Sequence, residues 1–133
     1  MTDFSAETIA GIRSLTLEQV IKYWDELEAH GRKTKTLPGV VRALCRADLF
    51  YLLVRVCRRM DMLHPWVYAR CREVEADPDN HLDLWSRGHF KSSIGTFGLT
   101  IQKILKNPEI TVGIFSHTRP IAKAFLRQIM REF

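Results

Sequence analysis

The chain has 133 residues, of which 46% are apolar, 26% charged and 10% aromatic. That composition belongs to an ordinary globular domain and excludes collagen-like, disordered and disulfide-dense classes. Lys plus Arg is 20 against 15 acids, so the net charge of +5 allows an anionic partner without requiring one. No apolar run approaches the roughly 18 to 20 residues of a membrane span, and Met1 to Ala10 lacks a basic-then-apolar signal pattern. Cys45, Cys57 and Cys71 are odd in number and far apart, which predicts a reducing cytoplasm and no disulfide framework.

Charge is uneven along the chain. Residues 1–30 carry a net −4, 31–73 a net +7, 74–90 a net −3 and 91–133 a net +5. The basic middle and tail mark local anion-facing surfaces or solvated helix faces.

Helices are predicted first. Thr16 with Gln19 three residues on is a capping box, and Val20, Tyr23, Trp24 and Leu27 follow at helical spacing. Gly31 is the expected stop, opening a basic connector to Gly39. From Val41 to Met60 one wide apolar face is predicted, with Arg42, Arg46, Arg55, Arg58 and Arg59 mostly off it. His64-Pro65 interrupts, and a third helix is expected from Pro65 to Ala76.

The period then changes. Asp77-Pro78-Asp79-Asn80 reads as a turn and His81 to Trp85 as a short strand. A polar loop follows, then a helical stripe of Ile94, Phe97, Ile101, Ile104 and Leu105, in which Gly95 and Gly98 leave room for close packing. Ile110 to Phe115 is a β-branched run suited to a buried parallel strand. Thr118 is the expected cap of a last helix, whose apolar row is Ile121, Ala122, Phe125, Leu126, Ile129 and Met130. The expected class is therefore α/β: a helical lead-in over 1–76, then β-loop-α-β-α over 77–133 with a right-handed crossover.

A strand, a short polar loop and then Lys-Ser at a helix start is the layout of a phosphate-binding loop. Helix-start amides and the helix dipole attract phosphate oxygens, a lysine reaches the terminal phosphates and the next hydroxyl holds Mg²⁺. Lys91 and Ser92 are the candidates for the last two roles, with Gly88 for the tight turn and Arg87 for added charge. The common pattern G-x-x-x-x-G-K-[ST] is not met, because Trp85 and Phe90 stand where its glycines belong.

The stretch His81 to Ser93, HLDLWSRGHFKSS, together with Phe97 to Phe133, resembles the start of the ATPase domain in large terminase subunits of tailed bacteriophages. Asp48 to Val74 resembles the helical lead-in of some members, so the likeness spans roughly 45–133. That family has a deviant loop, R-x-x-x-K-S-[ST], matched here by Arg87, Lys91, Ser92 and Ser93. The resemblance implies the first βαβα of a P-loop NTPase core, with an incomplete parallel sheet. It implies ATP and Mg²⁺ as cofactors, with Arg87 and Lys91 catalytic. Gly88, His89, Phe90, Lys91, Ser92 and Ser93 would bind nucleotide, and Ser92 the metal. The partners implied are double-stranded viral DNA, a portal and a small terminase subunit, with homo-oligomers on the portal, in the cytoplasm of an infected bacterium.

The family's hydrophobic strand ending in Asp-Glu has no counterpart here. Asp83 precedes the loop and Glu132 lies on a helix, so the chain by itself is expected to be catalytically incompetent. Two strands also make too small a sheet for a finished α/β core, which predicts that the chain is the front part of a longer motor. Thr118 and Arg119 are candidate DNA contacts at the end of the second expected strand, and Arg119, Lys123, Arg127 and Arg131 repeat every four residues beyond it. The alternative reading is a non-enzymatic, basic helical module that binds DNA or protein through 40–73 and 119–131. Cys57, His64 and Cys71 are spaced by sevens, too wide for a structural zinc site, and Trp24, Trp66 and Trp85 are expected as core or pocket walls.

Overall fold

Ser5 opens the first helix, α1 (Ala6–Ser14), its hydroxyl accepting the Thr8 amide at 3.2 Å. The structure is a computed structural model that describes residues 3–77, 79, 82 and 84–133. Thr16 and Gln19 form the expected capping box at the head of α2 (Leu17–Thr34), with reciprocal bonds of 3.3 and 3.0 Å. Gly31 does not end this helix. It lies buried in the last turn, where a Cβ would come within 3.1 Å of both the Leu37 Cα and the Val40 Cγ2. The helix stops instead at Lys35, in the left-handed conformation with φ 58°. The glycine serves the close approach of α3 (Leu37–Ala47) to α2.

The long apolar face expected from Val41 to Met60 is broken at Asp48, whose backbone is extended. Its carboxylate then caps α4 (Leu49–Tyr51) by accepting the Tyr51 amide at 3.1 Å. That helix continues directly as a π-helical stretch (Leu52–Val56). A 3₁₀ turn (Met60–Met62) leads to α5 (Pro65–Ala76), where the His64 Nδ1 accepts the Trp66 amide at 3.0 Å. Beyond the loop a helix begins at Lys91, runs as a π-helical stretch (Ser92–Leu99) and becomes α6 (Thr100–Lys106). The last helix is α7 (Arg119–Met130).

One apolar cluster joins these elements. Trp24, Phe50 and Tyr51 sit at its centre, with ring centroids 5.7 and 5.2 Å from Trp24. Ile94, Phe97 and Ile101 enter the same cluster from the helix after the loop. Gly98 lets that helix press on Leu53, as the sequence predicts, whereas Gly95 faces open space. Gln102 donates to the carbonyls of Cys45 and Arg46 at 3.2 and 3.3 Å, and the Arg46 Nε donates to the Leu105 carbonyl at 3.0 Å. These bonds satisfy polar groups at the end of α3 that the apolar contact would otherwise strand.

The α/β expectation is overturned: the described residues contain helices and loops and no strand, so neither a βαβα unit nor an incomplete parallel sheet is present among them. His81 and Asp83 of the first expected strand lie outside the described residues, while Leu82 and Leu84 are 81% and 83% exposed. Ile110 to Phe115 is likewise unpaired and its Phe115 is 95% exposed, though Ile114 packs against the core. A β-branched run becomes a strand only when a neighbour takes its backbone N–H and C=O groups. The described residues of the two runs have no neighbouring strand, and helix-on-helix packing fills the core instead. No helix among the described residues is long and apolar enough to cross a membrane.

Candidate phosphate-binding site

Trp85 to Ser93 curls around a hollow of about 410 Å³ at the start of the Lys91 helix. Two left-handed residues bend the loop, Gly88 at φ 77° and Phe90 at φ 60°. Gly88 reaches that region freely, whereas Phe90 is held there against a cost of order 1 kcal/mol or more. The position where the common phosphate loop has its second glycine thus keeps a glycine-like backbone while carrying a phenyl ring. Its ring packs against the apolar cluster, which holds the strained turn in place. The His89 Nδ1–H donates to the Arg87 carbonyl at 3.0 Å and closes the tip of the loop.

The first backbone bond of the following helix runs from the Ile94 amide to the Phe90 carbonyl at 2.8 Å. The amides of Ser92 and Ser93 stand ahead of it, at the positive end of the helix dipole. Arg87, Gly88, His89, Lys91 and Ser92 are exposed, and Phe90 and Ser93 are half-buried. All the residues expected to bind nucleotide therefore come together on one loop.

Sequence reasoning missed what lies on the far side of Ser92 and Ser93. A second hollow, of about 450 Å³, is lined by these serines with Arg59, Phe125, Arg131 and Glu132. The Arg59 Nη1 donates to the Ser93 Oγ at 3.3 Å while Nε and Nη2 clasp Asp61 at 2.9 Å each. Glu132, expected on a helix and so no stand-in for the catalytic acid, lies just beyond the end of α7 and borders the same hollow as Ser92. Burial, and then the nearby Glu132 carboxylate, push the Cys57 thiol up to about 12. Arg59 and Glu132 lie more than thirty residues from Ser92 on either side, so no local spacing signals their meeting. A third hollow sets Lys91, Ser92 and Thr96 against Val112 to Phe115. Thr118 and Arg119 line none of these three spaces; both are exposed, and the Thr118 hydroxyl makes no cap bond to α7.

The chemistry of the loop fits a polyphosphate. Arg87 and Lys91 supply positive charge, the helix start supplies amides, and the left-handed turn keeps the backbone close to the hollow. Among the described residues no group of three or more His, Cys, Asp or Glu side chains is placed to hold a metal ion. Mg²⁺ bound to a nucleotide needs no such cage, because phosphate oxygens and water complete its shell around one or two protein ligands. The Ser92 hydroxyl fits that limited role.

No known protein family, characterised protein or solved structure matches this chain.

Proposed function

We propose that this chain binds ATP with Mg²⁺ on the segment Ser86–Ser93 and serves as an ATP-binding part of a viral DNA-packaging motor of the terminase large-subunit kind. The observation that carries the reading is the open hollow of about 410 Å³ that Trp85–Ser93 lines at a helix start, with its left-handed turn at Gly88 and Phe90. Lys91 neutralises the terminal phosphates and Arg87 approaches the γ-phosphate. The amides from Gly88 to Ser92 cradle the chain of phosphates, and Ser92 contributes a hydroxyl to the metal. When bound, ATP would supply the γ-phosphoryl group for transfer to water and Mg²⁺ would offset the phosphate charge, with the acid that completes the reaction lying outside the residues of this loop. Thr118 and Arg119, followed by the exposed row of Lys123, Arg127 and Arg131, offer a basic edge for double-stranded DNA. Like charges at that spacing cost the helix about 0.2–0.5 kcal/mol per pair, which an anionic partner relieves. The portal, the small subunit and the infected bacterial cytoplasm follow from the same likeness.

The test is thermal unfolding of the chain with Mg²⁺-ATP, alone and with Lys91→Ala. Ligand at about one hundred times its Kd adds about 2.7 kcal/mol, a rise of several degrees in Tm. The wild type is expected to show that rise and Lys91→Ala to lose most of it. An unchanged Tm in the wild type, or an equal rise in both, refutes the phosphate site.

A further inference from the structure

A separate space of about 360 Å³ lies between the start of α5 and the loop, lined by His64, Trp66, Val67, Gly88, His89 and Phe90. It shares Gly88, His89 and Phe90 with the hollow assigned to the phosphates, so the same stretch of backbone borders both spaces. Trp66 is half-buried and held edge-to-face against two rings, Trp85 at 5.6 Å and 77° and His89 at 5.1 Å and 73°. Val67 and Phe90 complete walls that are otherwise carbon-rich. A flat aromatic ligand gains most from such a space.

The two histidines add polarity of opposite sense. The His64 Nδ1 accepts the Trp66 amide, so its neutral ring carries the proton on Nε2, a donor. The His89 Nδ1 donates to the Arg87 carbonyl, so its Nε2 is an acceptor. The edge of adenine presents the complement, a ring nitrogen that accepts beside an amino group that donates.

We propose that the space between His64, Trp66 and the loop tip receives the adenine base, with Trp66 as its stacking wall and His64 and His89 as its donor and acceptor. The proposal rests on the phosphate-binding reading above and assigns the other end of the same ligand. It also gives the helical lead-in a direct part in nucleotide recognition, because α5 supplies the wall.

Calorimetric titration with two probes, Mg²⁺-ATP and Mg²⁺-tripolyphosphate, tests it on the wild type, Trp66→Leu, His64→Ala and Lys91→Ala. Trp66→Leu is expected to weaken ATP about tenfold, in line with loss of a base–aromatic stack, and His64→Ala about threefold. Both variants should bind tripolyphosphate within about twofold of the wild type, while Lys91→Ala weakens both probes. His64 is exposed, so its variant stays folded even if Trp66→Leu does not. The base pocket is overturned if the wild type binds tripolyphosphate as tightly as ATP, or if His64→Ala and a folded Trp66→Leu both bind ATP like the wild type while Lys91→Ala does not. Failure of the wild type to bind either probe overturns the phosphate site and the base pocket together.

Discussion

Asp48 is fully buried and ties three helices at once. It accepts the Trp24 indole N–H from α2 at 3.0 Å and the Tyr51 amide of α4 at 3.1 Å, and it pairs with Arg72 of α5 at 3.0 Å. The Arg72 guanidinium also lies 4.6 Å from the Tyr68 ring centroid and pairs with Glu75 at 2.9 Å. Removing one member of a buried pair leaves the other charge without compensation, which costs far more than the pair is worth over an apolar alternative. Asp48→Ala is therefore expected to lose about 3–5 kcal/mol, read as a fall in the urea midpoint. In the sequence this aspartate looks like a polar interruption of an apolar stripe. Its role is invisible there because its partners stand 24 residues away on both sides. The loop residues are the opposite case. Arg87 to Ser93 are contiguous, so their convergence needs only a local turn and is legible in the order of residues.

At the scale of elements, the Thr16–Gln19 cap was readable, whereas the expected Thr118 cap makes no side-chain bond and helix ends were less legible. The Thr16–Gln19 box is a contact between residues three apart, which sequence states directly. Gly31 misleads because a glycine near a helix end signals termination just as well as it signals close packing. Leu37 and Val40 decide between the two, by standing where a Cβ would be. Gly31→Ala must push against the α3 backbone at Leu37, so it is expected to destabilise by about 1–3 kcal/mol despite the better helix propensity of alanine. Thermal unfolding of that variant checks the sign, since a surface glycine inside a helix would be stabilised by the same change. Gly98 meets only the flexible end of Leu53, where a methyl group is accommodated by a rotamer change. The π-helical stretches at Leu52–Val56 and Ser92–Leu99 had no signal, because apolar spacing does not distinguish their hydrogen-bond register from that of an α-helix.

Across the whole molecule, charge buried between helices makes stability depend on pH. Glu75 is buried among Asp48 of the α3–α4 junction, Arg72 of its own helix and Arg13 of α1, with Lys106 of α6 in electrostatic range. Burial first, and then Asp48, push its carboxyl up from 4.5 to about 7, against the pull of Arg72 and Arg13. One of its oxygens, Oε2, has no hydrogen bond among the described residues. The folded chain thus holds a proton that the unfolded chain releases near pH 4.5. The Glu75 contribution is fully present below that pH and is lost as pH rises through about 7. Tm is expected to fall by several degrees between pH 5 and pH 7.5, and Glu75→Gln should flatten that slope. A wild type and variant with parallel profiles would show that other groups set the dependence.

Sequence alone determined the features that rest on neighbours in the chain: the helices headed by Thr16 and Pro65, the Thr16–Gln19 cap, the uneven charge and the gathering of Arg87 to Ser93 on one loop and the helix start after it. Interactions over three or four residues cost little chain entropy to form, so local pattern suffices to predict them. Tertiary structure decided whether apolar runs became strands or loops, because a strand exists only through a partner that periodicity cannot name. It also placed Arg59 and Glu132 beside Ser92 and Ser93, and Trp66 beside His89. The composition of an ordinary globular domain permitted either a sheet or a helical core. Packing across the chain chose the helical one for the described residues and set the Arg87–Ser93 segment on it.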